Sequence, residues 1–303
     1  MSIKQIKELF FNELTAVFDK IEAESIFYIL LEEIHNMKRI DLALAPDFEL
    51  NTEQTSRWEF YIKELQLHKP IQYILGKTEF FGLPFLVNEH TLIPRPETEE
   101  LVEWILKSES QKSKVKSQKS KESNFQLPTS RILDIGTGTG CIAISLAKNL
   151  ENSEVFALDV SENALEIAKK NAQENDVKVQ FIQQNILEVT NPISNFQLPT
   201  SIDIIVSNPP YVRHLEKEEI KPNVLEYEPH LALFVPNDDA LLFYRKIAEI
   251  AKEILAPNGQ LFFEINQYLG KETVVLLQNL GFKNIELKKD LYGNDRMIRC
   301  ENP

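Results

Sequence analysis

"RILDIGTGTGCIAISLA", residues 131–147, decides how the chain is read. An apolar run, Arg131–Ile135, stops at three glycines spaced two apart, Gly136, Gly138 and Gly140, and a helix-like run begins at Cys141. Glycine permits a tight turn and lets backbone approach a ligand closely. The same strand-then-helix alternation continues outward. "EVFALD" (154–159) leads to "SENALEIAKKNAQEN" (161–175), and "VKVQFI" (177–182) and "IDIIVS" (202–207) are further strands. "DDALLFYRKIAEIAKEIL" (238–255) reads as a helix, "QLFFEI" (260–265) as a strand and "KETVVLLQNL" (271–280) as a helix. "KNIELKK" (283–289) and "RMIRC" (296–300) lie close enough to form an antiparallel edge hairpin. Near-continuous apolar strands alternating with helices predict an α/β, doubly wound, Rossmann-like parallel sheet.

Upstream the pattern differs. Leu9, Phe10, Leu14, Val17, Phe18 and Ile21 recur at helical spacing, as do Ile26, Ile29, Leu30 and Ile34. "LNTEQTSRWEFYIKEL" (50–65) opens another helix, with Thr52 or Thr55 expected as its N-cap. Residues 1–78 are therefore expected to form a small helical bundle. Aromatic and β-branched residues around Gly82 and Pro84 predict a β-hairpin linker over 79–96, and the α/β domain takes 97–303. "RPETEELVEWILK" (95–107) reads as a helix with acids in its first turn. Two stretches fit this plan badly, near 108–130 and 191–201. Residues 107–122 are basic and Ser/Gln-rich, expected to be mobile and to bury no core face. "SNFQLPTS" occurs at 123–130 and again at 194–201, each copy just before a strand. Ligands of doubly wound sheets bind at the carboxyl ends of strands. Both copies are thus expected at the inert end, and removal of 108–128 is expected to leave activity intact.

The 303 residues are 43% hydrophobic and 26% charged, ordinary for a globular chain. A formal net charge of −13 argues against a broad nucleic-acid footprint. The cysteines, Cys141 and Cys300, have no metal or redox spacing, and the five histidines none either. No metal is expected. No secretory leader or membrane-length apolar run is visible, so a cytoplasmic protein without membrane association is expected.

The second strand ends in Asp159, 19 residues beyond Gly140, where an acid can take both hydroxyls of a ribose. A dinucleotide turn, GxGxxG begun at Gly136, needs glycine at 141; Cys141 stands there. A pyrophosphate ligand is disfavoured. S-adenosylmethionine, with a ribose and no phosphate, suits a GxGxG turn followed by an acid, and Asp134 is placed to support its amino-acid end or the turn itself.

After the strand 202–207 comes Asn208-Pro209-Pro210-Tyr211. Prolines cannot continue a sheet ladder. Asn208 has a carbonyl acceptor, Pro209 leaves its own carbonyl free, and Tyr211 has a flat ring. Two acceptors and a stacking face fit a planar –NH2 on an sp2 carbon. Such a nitrogen is a weak nucleophile, and methylation places positive charge on it. Fixed acceptors orient its N–H bonds and stabilise that charge, each worth roughly 3–4 kcal/mol. The chemistry leaves two substrates open: an exocyclic base amine in nucleic acid, or a side-chain carboxamide.

The chain resembles the protein-(glutamine-N5) methyltransferases of peptide chain release factors, the PrmC or HemK family. "YILGKTEFFGLPFLV", "LIPRPETEELVEWIL", "ILDIGTGTGCIAISLA", "VSNPPYV", "YEPHLAL" and "DLYGNDRMI" follow in family order over nearly the whole chain. "NPPY" alone is shared with amino-methyltransferases of DNA; "IPRPETE" before "DIGTGTG" and "NPPY" is far more specific. The resemblance implies methyl transfer from S-adenosylmethionine, leaving S-adenosylhomocysteine, to the glutamine of the Gly-Gly-Gln motif. It implies that Gly136, Thr137, Gly138, Thr139 and Gly140 line the cofactor and that Asp159 holds its ribose. Asn208 would touch both cofactor and substrate; Pro209, Pro210 and Tyr211 would complete the glutamine pocket, with Asn208, Pro209 and Tyr211 catalytic. The bundle would dock class I release factors, and the enzyme would be a monomer with no direct nucleic-acid contact. The sequence departs from the family pattern at three points. Asn185, followed by Ile186, stands where an acid often faces the adenine, and an amide there can still bond to it. Ala240 and Asn266 stand where glycines are expected. The competing readings are a nucleic-acid amino-methyltransferase, a nicotinamide-dependent oxidoreductase and a non-catalytic cofactor-binding scaffold. The first lacks a basic face, the second gives NPPY no role, and the third leaves an intact NPPY site unused.

Overall fold

A computed structural model describes residues 1–119, 130–192 and 201–302. They divide into two compact units, 1–76 with 221–227, and 77–220 with 228–303. The hairpin over 77–86 falls in the second unit, and the segment 221–227, unanticipated from sequence, in the first.

The first unit is helical: α1 (Ile3–Leu14), α2 (Lys20–His35), α3 (Arg39–Leu44), α4 (Thr52–Gln66) and α5 (Ile71–Leu75). Phe10, Phe27 and Trp58 are fully buried at its centre, with Phe27 stacked on Trp58 at 5.1 Å and Phe10 edge-on to Phe27 at 5.4 Å. The Trp58 indole N–H donates to His35 Nε2 at 2.9 Å. Burial lowers the His35 pKa, consistent with an imidazole that accepts a hydrogen bond. Two local expectations are corrected. Asn51, not Thr52 or Thr55, caps α4, because its Oδ1 accepts from the Gln54 amide while Gln54 returns a bond to the Asn51 amide. Ile21 and Ile29 are 80% and 44% exposed. Asp19 caps α2 and resets the helical phase, which turns Ile21 outward. The short helix Pro222–Tyr227 joins this unit through the Tyr227 hydroxyl, which donates to the Leu67 carbonyl at 2.6 Å.

The second unit opens with the hairpin, β1 (Lys77–Phe80) and β2 (Leu83–Leu86), turning through Phe81 and Gly82, both at positive φ. Then come α6 (Pro96–Lys119), β3 (Ser130–Ile135), α7 (Cys141–Asn149), β4 (Ser153–Asp159), α8 (Glu162–Glu174), β5 (Gln180–Gln183) and β6 (Ile202–Ser207). A two-stranded pair, β7 (Val212–Arg213) with β8 (Phe234–Val235), precedes the helix Leu242–Ile254 and β9 (Leu255–Glu264). The helix Gly270–Asn279, β10 (Lys283–Lys289) and β11 (Asp295–Glu301) complete the unit.

Among the described residues the main sheet has seven strands in the order β10-β11-β9-β6-β3-β4-β5. The five from β9 to β5 are parallel; β11 runs antiparallel to both β9 and β10. The edge hairpin is therefore present, and its second strand lies inside its first. Successive residues face opposite sides. Leu133, Ile135, Ile205 and Phe263 pack with the helices 242–254 and 270–279, whereas Ile132, Ile204, Val206 and Phe262 pack with α6 and α7. Both faces are covered, which is why the strands read as unbroken apolar runs.

Two expectations here need correction. The helix expected from Asp238 begins at Leu242, because Asp239 turns to pair with Arg245 at 2.7 Å. The basic segment expected to bury nothing starts inside α6, where Ser108 and Glu109 are buried. Ser108 donates to Gln260 Oε1 at 2.9 Å and Glu109 accepts from Ser130 at 2.8 Å, and such partners make the burial of polar groups tolerable. Nearly all of both SNFQLPTS copies lies outside the described residues.

Candidate active site

The chain runs β3, β4, β5 toward one edge and returns to β6 on the other side of β3, leaving a crevice at the carboxyl ends between β3 and β6. Register fixes what meets there. Ile135 pairs with Ser207, so Gly136 and Asn208 leave their strands at one level, roughly 5 Å apart across the sheet. The buried Ser207 hydroxyl donates to the Ile135 carbonyl at 2.6 Å and locks this junction. Leu158 also pairs with Ile135, and its carbonyl accepts from the amides of Gly136 and Thr137.

The glycine turn has a distinct requirement at each end. Gly138 sits at φ +55° with no atom within 4 Å of where a Cβ would project. Gly140 sits at φ +82°, and a Cβ there would lie 2.9 Å from Ile144 Cδ1 and 3.2 Å from Ala168 Cβ, so glycine brings α7 against α8. Asn171 of α8, fully buried, donates to the carbonyls of Thr139 and Leu86 and accepts from the Leu86 amide. One amide therefore ties the glycine turn to the hairpin.

Asp159 Oδ2 accepts from the Gly138 amide at 2.8 Å and Oδ1 from the Ser161 amide at 2.9 Å. Each carboxylate oxygen keeps a further lone pair for a ligand hydroxyl. Burial raises the Asp159 pKa, against the pull of those amides. Asp134 is fully buried beneath the turn and accepts from the Thr137 hydroxyl at 2.6 Å. Burial pushes its pKa up to about 7, opposed by Thr137 and the Ala143 amide and helped by the Asp159 charge.

These elements enclose a cleft of about 310 Å³. Gly136, Thr137, Gly138, Thr139, Asp159, Asn185, Ile186, Asn208, Pro209 and Pro210 all line it. Gly140 and Tyr211 are not among the lining residues. Gly140 serves helix packing. Tyr211, expected to offer a stacking face, packs its ring against the core and donates its hydroxyl to Glu264 at 3.1 Å. Asn185 reaches the cleft, but its amide is engaged locally, accepting from the Leu187 amide and donating to Glu188.

Sequence reasoning missed several wall residues. Arg95 and Thr98 come from the loop before α6 and its first turn, and Pro229, Leu231 and Phe243 close another side. Arg95 pairs with buried Glu228, which also accepts from the Ile93 amide, and this pins 93–95 to the start of the 228–233 wall. The IPRPETE and YEPHLAL motifs contain both partners, but nothing in their spacing announces the contact. Asn266, standing where glycine was expected, is buried and donates to the Tyr211 carbonyl and to Glu216. Ala240 has no positive φ, so its turn needs no glycine.

The wall chemistry fits S-adenosylmethionine. The adjacent apolar side chains Leu158 and Ile186 suit a nucleoside, Asp159 suits a ribose, and Gly136 and Gly138 leave room beside the backbone. Arg95, the wall's only arginine or lysine among the described residues, is already paired, which suits a ligand without phosphate that carries a sulfonium charge. Among the described residues no cluster of three His, Cys, Asp or Glu side chains could hold a metal ion, and no helix is long and apolar enough to cross a membrane.

The fold and the cleft define a Rossmann-like S-adenosylmethionine-dependent methyltransferase. Residues 121–227 match the family described as methyltransferase small domain, and residues 12–76 match the PrmC N-terminal domain. The chain is 59% identical over 299 residues to the release factor glutamine methyltransferase of Flavobacterium psychrophilum, covering 99% of each chain. It is 40% identical to the protein of that name from Bacteroides thetaiotaomicron, over 95% of each, and 38% identical to that from Streptococcus pneumoniae, over 91% of each. The chain belongs to the release factor glutamine methyltransferase family.

Proposed function

We propose that this protein transfers a methyl group from S-adenosylmethionine to the side-chain amide nitrogen of the glutamine in the Gly-Gly-Gln motif of class I peptide chain release factors. The observation that carries the reading is the placement of Asn208-Pro209-Pro210 one strand from the glycine turn, on one cleft, in a chain of this family. The cofactor supplies an electrophilic methyl on its sulfonium. The glycine turn and Asp159 hold its nucleoside, with Ile186 against the base and Asn185 shaping that end. Asn208 Oδ1 and the Pro209 carbonyl accept the two N–H bonds of the glutamine amide. They aim the nitrogen lone pair and stabilise the positive charge that grows on it. No strong base is required beforehand, because the nitrogen becomes acidic once alkylated. Pro210 and Leu231 add apolar side chains to the wall of the same cleft. Tyr211 acts from behind, anchoring the segment through Glu264. The helical unit docks the release factor, and the enzyme works in the cytoplasm as a monomer without direct nucleic-acid contact.

Mass spectrometry of a purified release factor incubated with the full chain and S-adenosylmethionine tests this. One methyl for one hydrogen on the Gly-Gly-Gln glutamine is expected. An unmodified release factor, with cofactor binding intact, would refute the substrate. Asn208→Ala is expected to lower turnover about 100-fold, the loss typical of one preorganised polar contact.

A further inference from the structure

Asn208 is held from behind by a chain of groups of which two, Thr98 and Glu264, lie outside the NPPY motif. Its Nδ2 lies 3.2 Å from Thr98 Oγ1, Thr98 Oγ1 lies 2.6 Å from Glu264 Oε2, and the Tyr211 hydroxyl lies 3.1 Å from Glu264 Oε1. Thr98 is 2% exposed and Glu264 1%. Counting protons along this chain fixes its direction. With Glu264 ionised, its carboxylate only accepts, so both hydroxyls donate to it. A threonine hydroxyl has one proton, and Glu264 takes it. Thr98 then presents only lone pairs to Asn208, so the Asn208 amide must turn its NH2 toward Thr98 and its carbonyl oxygen away. Burial raises the Glu264 pKa, and the Thr98 hydroxyl, the Arg296 charge and the Tyr211 hydroxyl oppose that rise by favouring the ionised form.

We propose that Thr98 and Glu264 are positioning residues that fix the polarity of the Asn208 amide, so that its oxygen rather than its nitrogen meets the substrate. This rests on the reading of Asn208 as the acceptor for the glutamine amide. An amide turned the other way would present donors to the substrate NH2 and reject it. Glu264 ends β9 and Thr98 lies in the first turn of α6, so the device is built from rigid elements. It also gives a physical reason for a threonine within "RPETE" (95–99).

The test is a double-mutant cycle on the full chain, read as single-turnover methyl transfer to a release factor, with S-adenosylmethionine affinity measured by calorimetry. Thr98→Val keeps the shape and removes the hydroxyl. It is expected to slow transfer about 10-fold, the scale of one hydrogen bond, with cofactor affinity unchanged. Thr98→Ser is expected to restore most of the rate. In an Asn208→Ala background Thr98→Val is expected to cost nothing more, because the partner it orients is gone. A parental rate for Thr98→Val, or an equal loss in both backgrounds, overturns the proposal. If Thr98→Val does not fold, as judged by its thermal midpoint, Thr98→Ala is carried through the same cycle under the same criteria. Asn208→Ala separates the two levels. A parental rate there overturns the acceptor assignment and this inference with it. A slow Asn208→Ala beside a fast Thr98→Val overturns the positioning role alone.

Discussion

Replacing the two glycines at 138 and 140 by alanine should separate cofactor binding from stability. Both sit at positive φ, so each alanine carries about 1–2 kcal/mol of left-handed backbone cost. At Gly138 nothing else opposes the methyl, since no atom lies within 4 Å. At Gly140 the methyl would overlap Ile144 Cδ1 at 2.9 Å and press on Ala168 Cβ at 3.2 Å. A side-chain tip can often move aside, but Ile144 is fully buried and has nowhere to go. Overpacking of this kind adds about 1–3 kcal/mol. Gly140→Ala should therefore lose about 2–5 kcal/mol in urea unfolding, against about 1–2 for Gly138→Ala. The order reverses for the ligand. Gly138 donates its amide to Asp159, and relaxation of a strained alanine pulls that amide away. Calorimetry with S-adenosylmethionine should show the larger loss of affinity for Gly138→Ala, measured below the unfolding transition of both variants. Equal destabilisation by the two would refute the argument that close packing of α7 on α8 demands a glycine at 140.

Asp159→Ala should weaken S-adenosylmethionine binding by about 10-fold or more, since a charged acceptor for the ribose is lost; unchanged affinity by calorimetry would remove the acid from the ribose site. Asp134, with its pKa raised from 3.8 to about 7 by burial, binds a proton in the folded state that the unfolded chain has already released. Stability from this group is complete below about pH 4 and is lost as pH rises toward 7, so Asp134→Asn should gain on the parent across that window. The gain cannot exceed about 1.4 kcal/mol per pH unit, and a difference that stays flat in urea titrations at several pH values would mean ordinary titration. Asn266→Ala leaves the Tyr211 carbonyl and buried Glu216 without a shared donor. It should cost about 1–3 kcal/mol and slow transfer more than it changes cofactor affinity. A deletion starting at Ser108 should unfold at lower urea than one starting after Lys112, because the first removes the Ser108–Gln260 and Glu109–Ser130 bonds; coincident midpoints would show these contacts to be unimportant.

What could be read from the chain alone was whatever local chemistry dictates. The glycine turn and NPPY each follow a strand of a parallel sheet and Asp159 ends one, and parallel strands put all three at one edge whatever the side-chain details. Periodicity likewise placed the helices, with errors where one capping residue reset the phase, as Asp19 did for Ile21. The contacts that finish the site are long-range pairings between ordinary residues. Glu264 reads as the last residue of a strand and Thr98 as one of several polar residues opening a helix, 166 positions apart. Only the sheet order, which lays β9 beside β6 and α6 over both, brings them to Asn208. Asn266 makes the same point in reverse, since a glycine was expected where the fold uses an amide to clamp the Tyr211 backbone. The motif thus places Asn208, Pro209 and Pro210 on the cleft, and on the proposed function the polarity of its amide depends on partners that spacing along the chain cannot reveal. With Glu264 ionised, a proton count through Thr98 supplies that polarity, and no strong base is needed in the cleft because a carboxamide nitrogen becomes acidic once alkylated.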